Sequence, residues 1–164
     1  MKKSVLILFI LISTNAFTQE LKLDDNNKYS AQGVEQFNLM KKDLLFEKGQ
    51  EWINLNYKSV KDIIQLTDKA QGKIIVRGSF SIVVGIYTYI IIHTLTIDFK
   101  DEKMRYTYSN FTVDNLNLQG YDSALENNRW YNKKFIRKTN EKIQKNASDL
   151  ISYINRNLSK KDDW

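Results

Sequence analysis

The chain holds one histidine, His93, and no cysteine. A cysteine nucleophile, a thiolate metal site and a disulfide are therefore excluded together. As a general base, His93 would need a carboxylate or hydroxyl at hydrogen-bond reach. As a metal ligand it would need two or three further ligands, and none stands at ligand spacing. It lies instead within "YTYIIIHTLTI" (87–97), an alternating apolar stretch, which points to a structural histidine on a strand face. The carboxylate pairs Asp24–Asp25, Asp101–Glu102 and Asp162–Asp163 fall in polar or terminal segments where solvation accounts for them. There is no Gly-rich phosphate loop and no nucleophile elbow. The residues read as a non-enzymatic chain with no cofactor and no metal. A hydrolase or isomerase pairing His93 with a carboxylate is the rival reading.

One further charged pair has suggestive spacing. In "LTIDFKDEKMRYTY" (95–108) Asp98 and Arg105 flank a polar centre. A turn at Asp101–Glu102, or a wider one over Lys100–Lys103, sets Phe99 opposite Met104. Asp98 then faces Arg105, Ile97 faces Tyr106, Thr96 faces Thr107 and Leu95 faces Tyr108. Apolar pairs fall on one face and polar pairs on the other, and a slip by one residue would undo every pair. Asp98–Arg105 reads as a register lock rather than a working site.

Those strands imply a sheet, and the flanking sequence supplies helices. Leu39, Phe46 and Ile53 recur at seven, as do Leu45 and Trp52, giving an apolar helical stripe within 37–57 with Asn38 as its N-cap. Gly49 inside that helix suggests close packing on a sheet. "DIIQLT" (62–67), "KIIVRGSFSIVV" (73–84), Tyr87–Phe99 and the strand from Met104 follow as antiparallel strands. Gly78 suggests a bulge or bend, and a parity switch after Ser109 suggests a bulge near Asn110. Residues 114–131 form a polar loop without period. Ile143, Ala147, Leu150, Ile151, Ile154 and Leu158 mark a final helix capped by Thr139 or Asn140. The expected fold is α+β: a curved antiparallel sheet of about four to five strands with two helices on one face, in the order β-α-β-β-β-β-α.

Such a helix-covered sheet either packs solid or leaves an apolar gap. The gap would be walled by Phe46, Trp52, Tyr89, His93, Leu95, Tyr106, Ile151 and Ile154. Tyrosine and tryptophan also serve interfaces. The candidate ligand- or partner-binding residues are therefore Trp52, Tyr89, His93, Tyr106, Tyr108 and Trp130. The occupant would be an unknown protein partner or a small apolar ligand.

The first stretch, "MKKSVLILFILISTNAFTQE", has two lysines, a short apolar core and small residues Ala16 and Thr18 before Gln19. This is the pattern of a cleaved signal peptide, too short to span a bilayer. The expected organisation is a signal peptide at 1–18, an irregular segment at 19–33, one domain at 34–158 and a frayed tail at 159–164. The chain is expected to be exported, periplasmic or extracellular, with no stable membrane insertion after cleavage. Residues 129–164 carry ten Lys/Arg and four Asp/Glu, whereas 19–128 carry thirteen and fifteen. The positive excess thus sits at the C-terminal end, where it reads as a solvated helix face. Export argues against nucleic acid as its partner.

Three stretches carry a family resemblance: "LLFEKGQEWINLNYKS" (44–59), "LTDKAQGKIIVRG" (66–78) and "HTLTIDFKDEKMRY" (93–106). Over about residues 35–114 the chain resembles exported bacterial domains of unknown function with a TATA-binding-protein-like fold. The resemblance implies that fold and no established activity, so it assigns no catalytic residue. The family usually has Gly where this chain has Glu102. Glutamate disfavours the positive φ of a tight primed turn, so the expectation here is a wider turn.

Overall fold

The computed structural model describes residues 20–57, 63–115, 122–127 and 133–156. In chain order these form β1 (Lys22–Leu23), β2 (Tyr29–Gln36), α1 (Lys42–Asn56), β3 (Ile63–Asp68), β4 (Lys73–Val84), β5 (Tyr87–Lys100), β6 (Lys103–Asn115), β7 (Asp122–Ala124), a 3-10 turn (Leu125–Asn127) and α2 (Lys133–Arg156). The sheet runs β1-β2-β6-β5-β4-β3, and β7 joins β6. All pairings are antiparallel. β5 occupies one side of β6 along its length, while β2 and β7 share the other, at Lys103–Tyr108 and Thr112–Asp114.

Among the described residues the sheet has seven strands, where four or five were expected. The additions are β1, of two residues, β7, of three, and a β2 longer than the short strand anticipated near Tyr29. None alternates clearly enough to signal itself. The segment 19–33 is accordingly not irregular: β2 begins at Tyr29 and is part of the domain, aligned by its pairing with β6. Likewise the stretch 114–131 is not wholly loop, since it contains β7 and the 3-10 turn.

The β5–β6 register is the one the sequence predicts. Asp98 faces Arg105, Phe99 faces Met104, Ile97 faces Tyr106, Thr96 faces Thr107 and Leu95 faces Tyr108. The turn, however, is not wide. Lys100 pairs with Lys103, leaving two residues, and Glu102 takes φ 61°. A left-handed non-glycine residue costs roughly 1–2 kcal/mol. Here the segment before α1 braces it. The Glu102 N–H donates to the Met40 carbonyl at 2.8 Å, and its own carbonyl accepts from the Phe37 N–H at 2.8 Å. Its carboxylate accepts from the Leu39 N–H at 3.1 Å. Asn110 takes φ 52° where the register shifts between Ile92 and Thr94, which is the predicted bulge. Beyond it Phe111 and Val113 return to the buried face occupied by Tyr106 and Tyr108.

The same turn starts α1. The helix begins at Lys42, not near Asn38, and Leu39 is 91% exposed in a left-handed conformation. No local side chain caps it. The Asp101 carboxylate does so instead, accepting from the Lys42 N–H at 2.8 Å. An anion there complements the positive end of the helix. That N–H and the Lys41 ammonium hold the Asp101 carboxyl below its ordinary range.

Both helices lie on one face of the sheet, and the core is sealed between them. Leu45, Phe46, Trp52 and Ile53 from α1 meet Ile74, Val76, Ile91, Leu95, Ile97 and Phe99. α2 adds Phe135, Ile143, Ala147, Leu150 and Ile154. It starts six residues before Thr139, so neither proposed cap is a cap. Thr139 is buried mid-helix with its hydroxyl donating to the Phe135 carbonyl at 3.1 Å. The Asn140 side chain accepts from the Leu21 N–H at 2.9 Å. Leu158 lies outside the described residues.

Gly49 lets α1 settle on β5, as the sequence suggests: a Cβ there would lie 2.3 Å from the Phe99 ring carbon Cζ. Phe99 is itself buried and cannot yield. Gly49→Ala is therefore expected to destabilise the fold by about 1–2 kcal/mol, overpacking outweighing the roughly 1 kcal/mol that alanine returns in helix propensity. Urea denaturation checks this, and an unchanged or raised midpoint would refute the packing account.

Candidate functional site

The five described candidate residues all lie in the helix-covered layer. His93 is at its centre, 1% exposed. Phe80, Tyr108 and Phe111 surround it, with ring centroids 5.0, 5.2 and 6.4 Å away. Tyr57, which follows α1, reaches in from above, its hydroxyl 3.2 Å from His93 Nε2. Gly78 makes that reach possible. It sits opposite His93 in an unbroken β4–β5 register, so it marks no bulge. A Cβ at Gly78 would fall 2.0 Å from Tyr57 Cε1, so the glycine is the seat for the tyrosine ring.

This environment is apolar. Burial pushes the imidazole down to about 4, against a smaller upward pull from the Ile91 backbone. His93 Nδ1 and the Tyr108 hydroxyl are buried and make no hydrogen bond of good geometry. The Tyr108 phenol is raised well above its ordinary range, first by burial and then by Tyr57. Among the described residues His93 has no carboxylate partner, and no group of three His, Cys, Asp or Glu could hold a metal.

The other candidates also pack. Tyr106 lies against Gly33, and burial, with Glu35, pushes its phenol up to about 12. Tyr89 stands edge-on to Phe135 at 5.2 Å. Trp52 stands edge-on to Tyr57 at 5.9 Å. Trp130 lies outside the described residues. The walls proposed for an apolar gap are filled: Phe46, Trp52, His93, Leu95, Tyr106 and Ile154 are buried in contact.

Space opens elsewhere. A cleft of about 430 Å³ lies between the end of α1 (Trp52, Asn56, Tyr57), the middle of α2 (Lys142, Asn146, Asp149) and β4 around Ser79–Ser81. Of the predicted residues that are described, only Trp52 reaches it. Lys142, Asn146 and Asp149 follow the spacing i, i+4, i+7, which aligns them along one helix stripe. Sequence reasoning passed them over because isolated charges on a helix read as solvated. Their shared stripe was the available signal.

The Asp98–Arg105 pair sits on the opposite, outer face. The guanidinium approaches the carboxylate at 2.8 Å, and Lys73 adds a second contact at 3.4 Å. Partial burial raises the Asp98 carboxyl, but Arg105 and Lys73 outweigh it and hold it below its ordinary range. The pair bridges β5 to β6 while Lys73 ties in β4, as a register lock should.

The family described as a domain of unknown function (DUF4468) with TBP-like fold matches residues 32–114, and the chain belongs to it. A crystal structure of a TBP-like protein from Parabacteroides distasonis superposes with a TM-score of 0.68 at 13% identity, covering 80% of this chain and 96% of that one. A DUF4468 family protein from Bacteroides ovatus gives 0.62 at 14% identity, covering 88% and 93%. At such identities the likeness shows the fold alone. No curated protein matches.

Because folded His93 takes up its proton only near pH 4, while an unfolded histidine does so near 6.5, the unfolded state binds more protons between those values. Stability should therefore fall as pH drops from about 6.5 toward 4, by on the order of 3 kcal/mol for this group. Denaturation midpoints at pH 7 and 4.5 test it. The drop should shrink in His93→Phe, and an equal drop in both proteins would show that His93 is not its source.

Proposed function

We propose that this is an exported, non-enzymatic binding domain whose cleft between α1, α2 and β4 receives a small polar ligand. The observation that carries this is the cleft lining. Lys142, Asn146 and Asp149 offer a cation, an amide and an anion in a cleft that Trp52 and Tyr57 also line. The volume lies within the range of small-molecule sites. A ligand bearing both charges, or several hydroxyl and amide groups, fits this lining better than the apolar compound the sequence suggested. His93, sealed and bonded to Tyr57, is suited to packing rather than proton transfer.

A protein partner is the second reading, favoured by the sheet face that carries no described helix. Val34 is exposed there beside a shallow hollow lined by Asp98, Lys103 and Arg105.

An NMR titration with amino acids, dipeptides and small saccharides tests the cleft. At least one class should shift resonances of Trp52, Ser81 and Asn146 together, and Lys142→Ala or Asp149→Ala should weaken it about tenfold, the worth of one charge-assisted hydrogen bond. Shifts scattered elsewhere, or none, would direct attention to the outer sheet face. For export, mass spectrometry of the chain recovered from cells should find a new N-terminus near Gln19. An intact Met1 in a soluble cytoplasmic fraction would sink the export reading.

A further inference from the structure

β3 pairs with β4 only from Lys73 to Arg77, yet β4 continues to Val84. The backbone groups of successive strand residues point alternately to the two neighbours. In β4 their direction follows from both ends. Val84 and Tyr87 flank a two-residue turn, so they exchange bonds with each other. At the other end the Phe99 N–H donates to the Gly72 carbonyl at 2.7 Å. Both observations place the even-numbered residues of β4 in bonds to β5 and turn the odd-numbered ones away from it. Ile75 and Arg77 meet β3 on that side. Ser81 and Val83 present their N–H and C=O groups where no described strand lies.

Sheet edges are ordinarily guarded against such exposure by short length, bulges or charge. The other described edges follow that rule. β1 has two residues and β7 three, β3 is broken by a bulge between Ile64 and Leu66, and β2 carries Glu35. Residues 78–84, "GSFSIVV", have neither charge nor proline, and their register with β5 is unbroken. Ser81 is exposed and Val83 is 59% exposed. The charged groups beside this run are Arg77, where the β3 pairing ends, and Lys142 and Asp149 of α2, which share the cleft with Ser81. The α2 pair is of opposite sign, so it sets up no single-sign field against an approaching chain.

We propose that this edge joins a second copy of the chain, β4 against β4, in a two-fold dimer. An antiparallel pairing centred on Ile82 sets Ser81 opposite the partner's Val83, and Val83 opposite the partner's Ser81. Each of these is a hydrogen-bonded pair that exchanges both backbone bonds, so every outward group of Ser81 and Val83 is satisfied in both copies. The contact is isologous, as a closed dimer requires. The uncharged strand offers nothing by which a charged partner would be selected, and it meets its own copy without repulsion. The same register covers the exposed Val83 and carries Ile86, 89% exposed, toward the partner's Gly78. The two sheets become one. This interface borders the cleft but does not depend on a ligand there.

The test uses the chain from Gln19 onward, which contains every residue of the described fold but not the apolar leader. Sedimentation equilibrium from about 1 μM to about 1 mM should show a monomer–dimer equilibrium. Val83→Pro removes an N–H that bonds nothing within one copy, a change an edge strand tolerates. Val83→Lys puts a charge beside the two-fold axis. Each should raise the dissociation constant at least about tenfold, and circular dichroism verifies that both remain folded. Hydrogen exchange locates the contact. The Ser81 and Val83 amides should exchange fast in dilute protein and slowly in concentrated protein, whereas the Ile82 amide, bonded to β5, is slow in both. Sedimentation as a monomer throughout would overturn the proposal and leave the edge to an extended segment of another protein. A dimer that survives both substitutions, or one whose Ser81 and Val83 amides still exchange fast, would overturn it as well.

Discussion

The two-residue turn at Asp101–Glu102 is the constraint on which most of the structure depends. It joins the two longest pairing partners in the sheet, β5 and β6. It also receives the segment that precedes α1, through backbone bonds from Phe37 and to Met40. Asp101 then supplies the helix with the cap its own sequence lacks. One turn therefore sets the sheet register, fixes the path from β2 into α1 and positions the first turn of that helix. Polar bonds do this at the rim, so the interior can be left almost wholly to apolar packing.

Inside, close approach between layers comes from glycines meeting aromatic rings. Gly33 lies under Tyr106, Gly49 against Phe99 and Gly78 under Tyr57. In each case the missing Cβ provides room for a ring that would otherwise hold two elements apart. The third contact brings the Tyr57 hydroxyl to His93, which gives the one buried imidazole a partner without giving it a charge. The result is a filled layer where the sequence also allowed a cavity. The open space is displaced to the border of α1, α2 and β4, where polar side chains line it.

What the sequence made legible was alternation. The five cross-strand pairs from Phe99–Met104 to Leu95–Tyr108 could be read because both strands alternate cleanly, and the parity switch at Asn110 exposed the bulge. Helix starts were hidden for two different reasons. The α1 cap comes from Asp101, 59 positions away. The α2 start is masked by Thr139, a polar residue on a buried face. Strands of two or three residues carry no period at all, so β1 and β7 were invisible. The candidate site followed the same logic. The described aromatic candidates lie in the core or packed against it, whereas Lys142, Asn146 and Asp149 gain meaning only once α1 and β4 stand opposite them.

The pairing of β2 with β6 has a consequence for the order in which the domain assembles. β3 to β6 follow one another along the chain and can close as successive hairpins. β2 must find residues such as Thr107 from Gln32, 75 positions away. Contacts across so long a stretch of chain form slowly, because the loop must close before the pairing repays it. The sequence has no proline, which removes prolyl isomerisation as a competing slow step. β2, although it precedes β3 to β6 in the chain, is thus expected to find its place after they have paired, and until it does the edge of β6 along Lys103–Tyr108 lacks its partner.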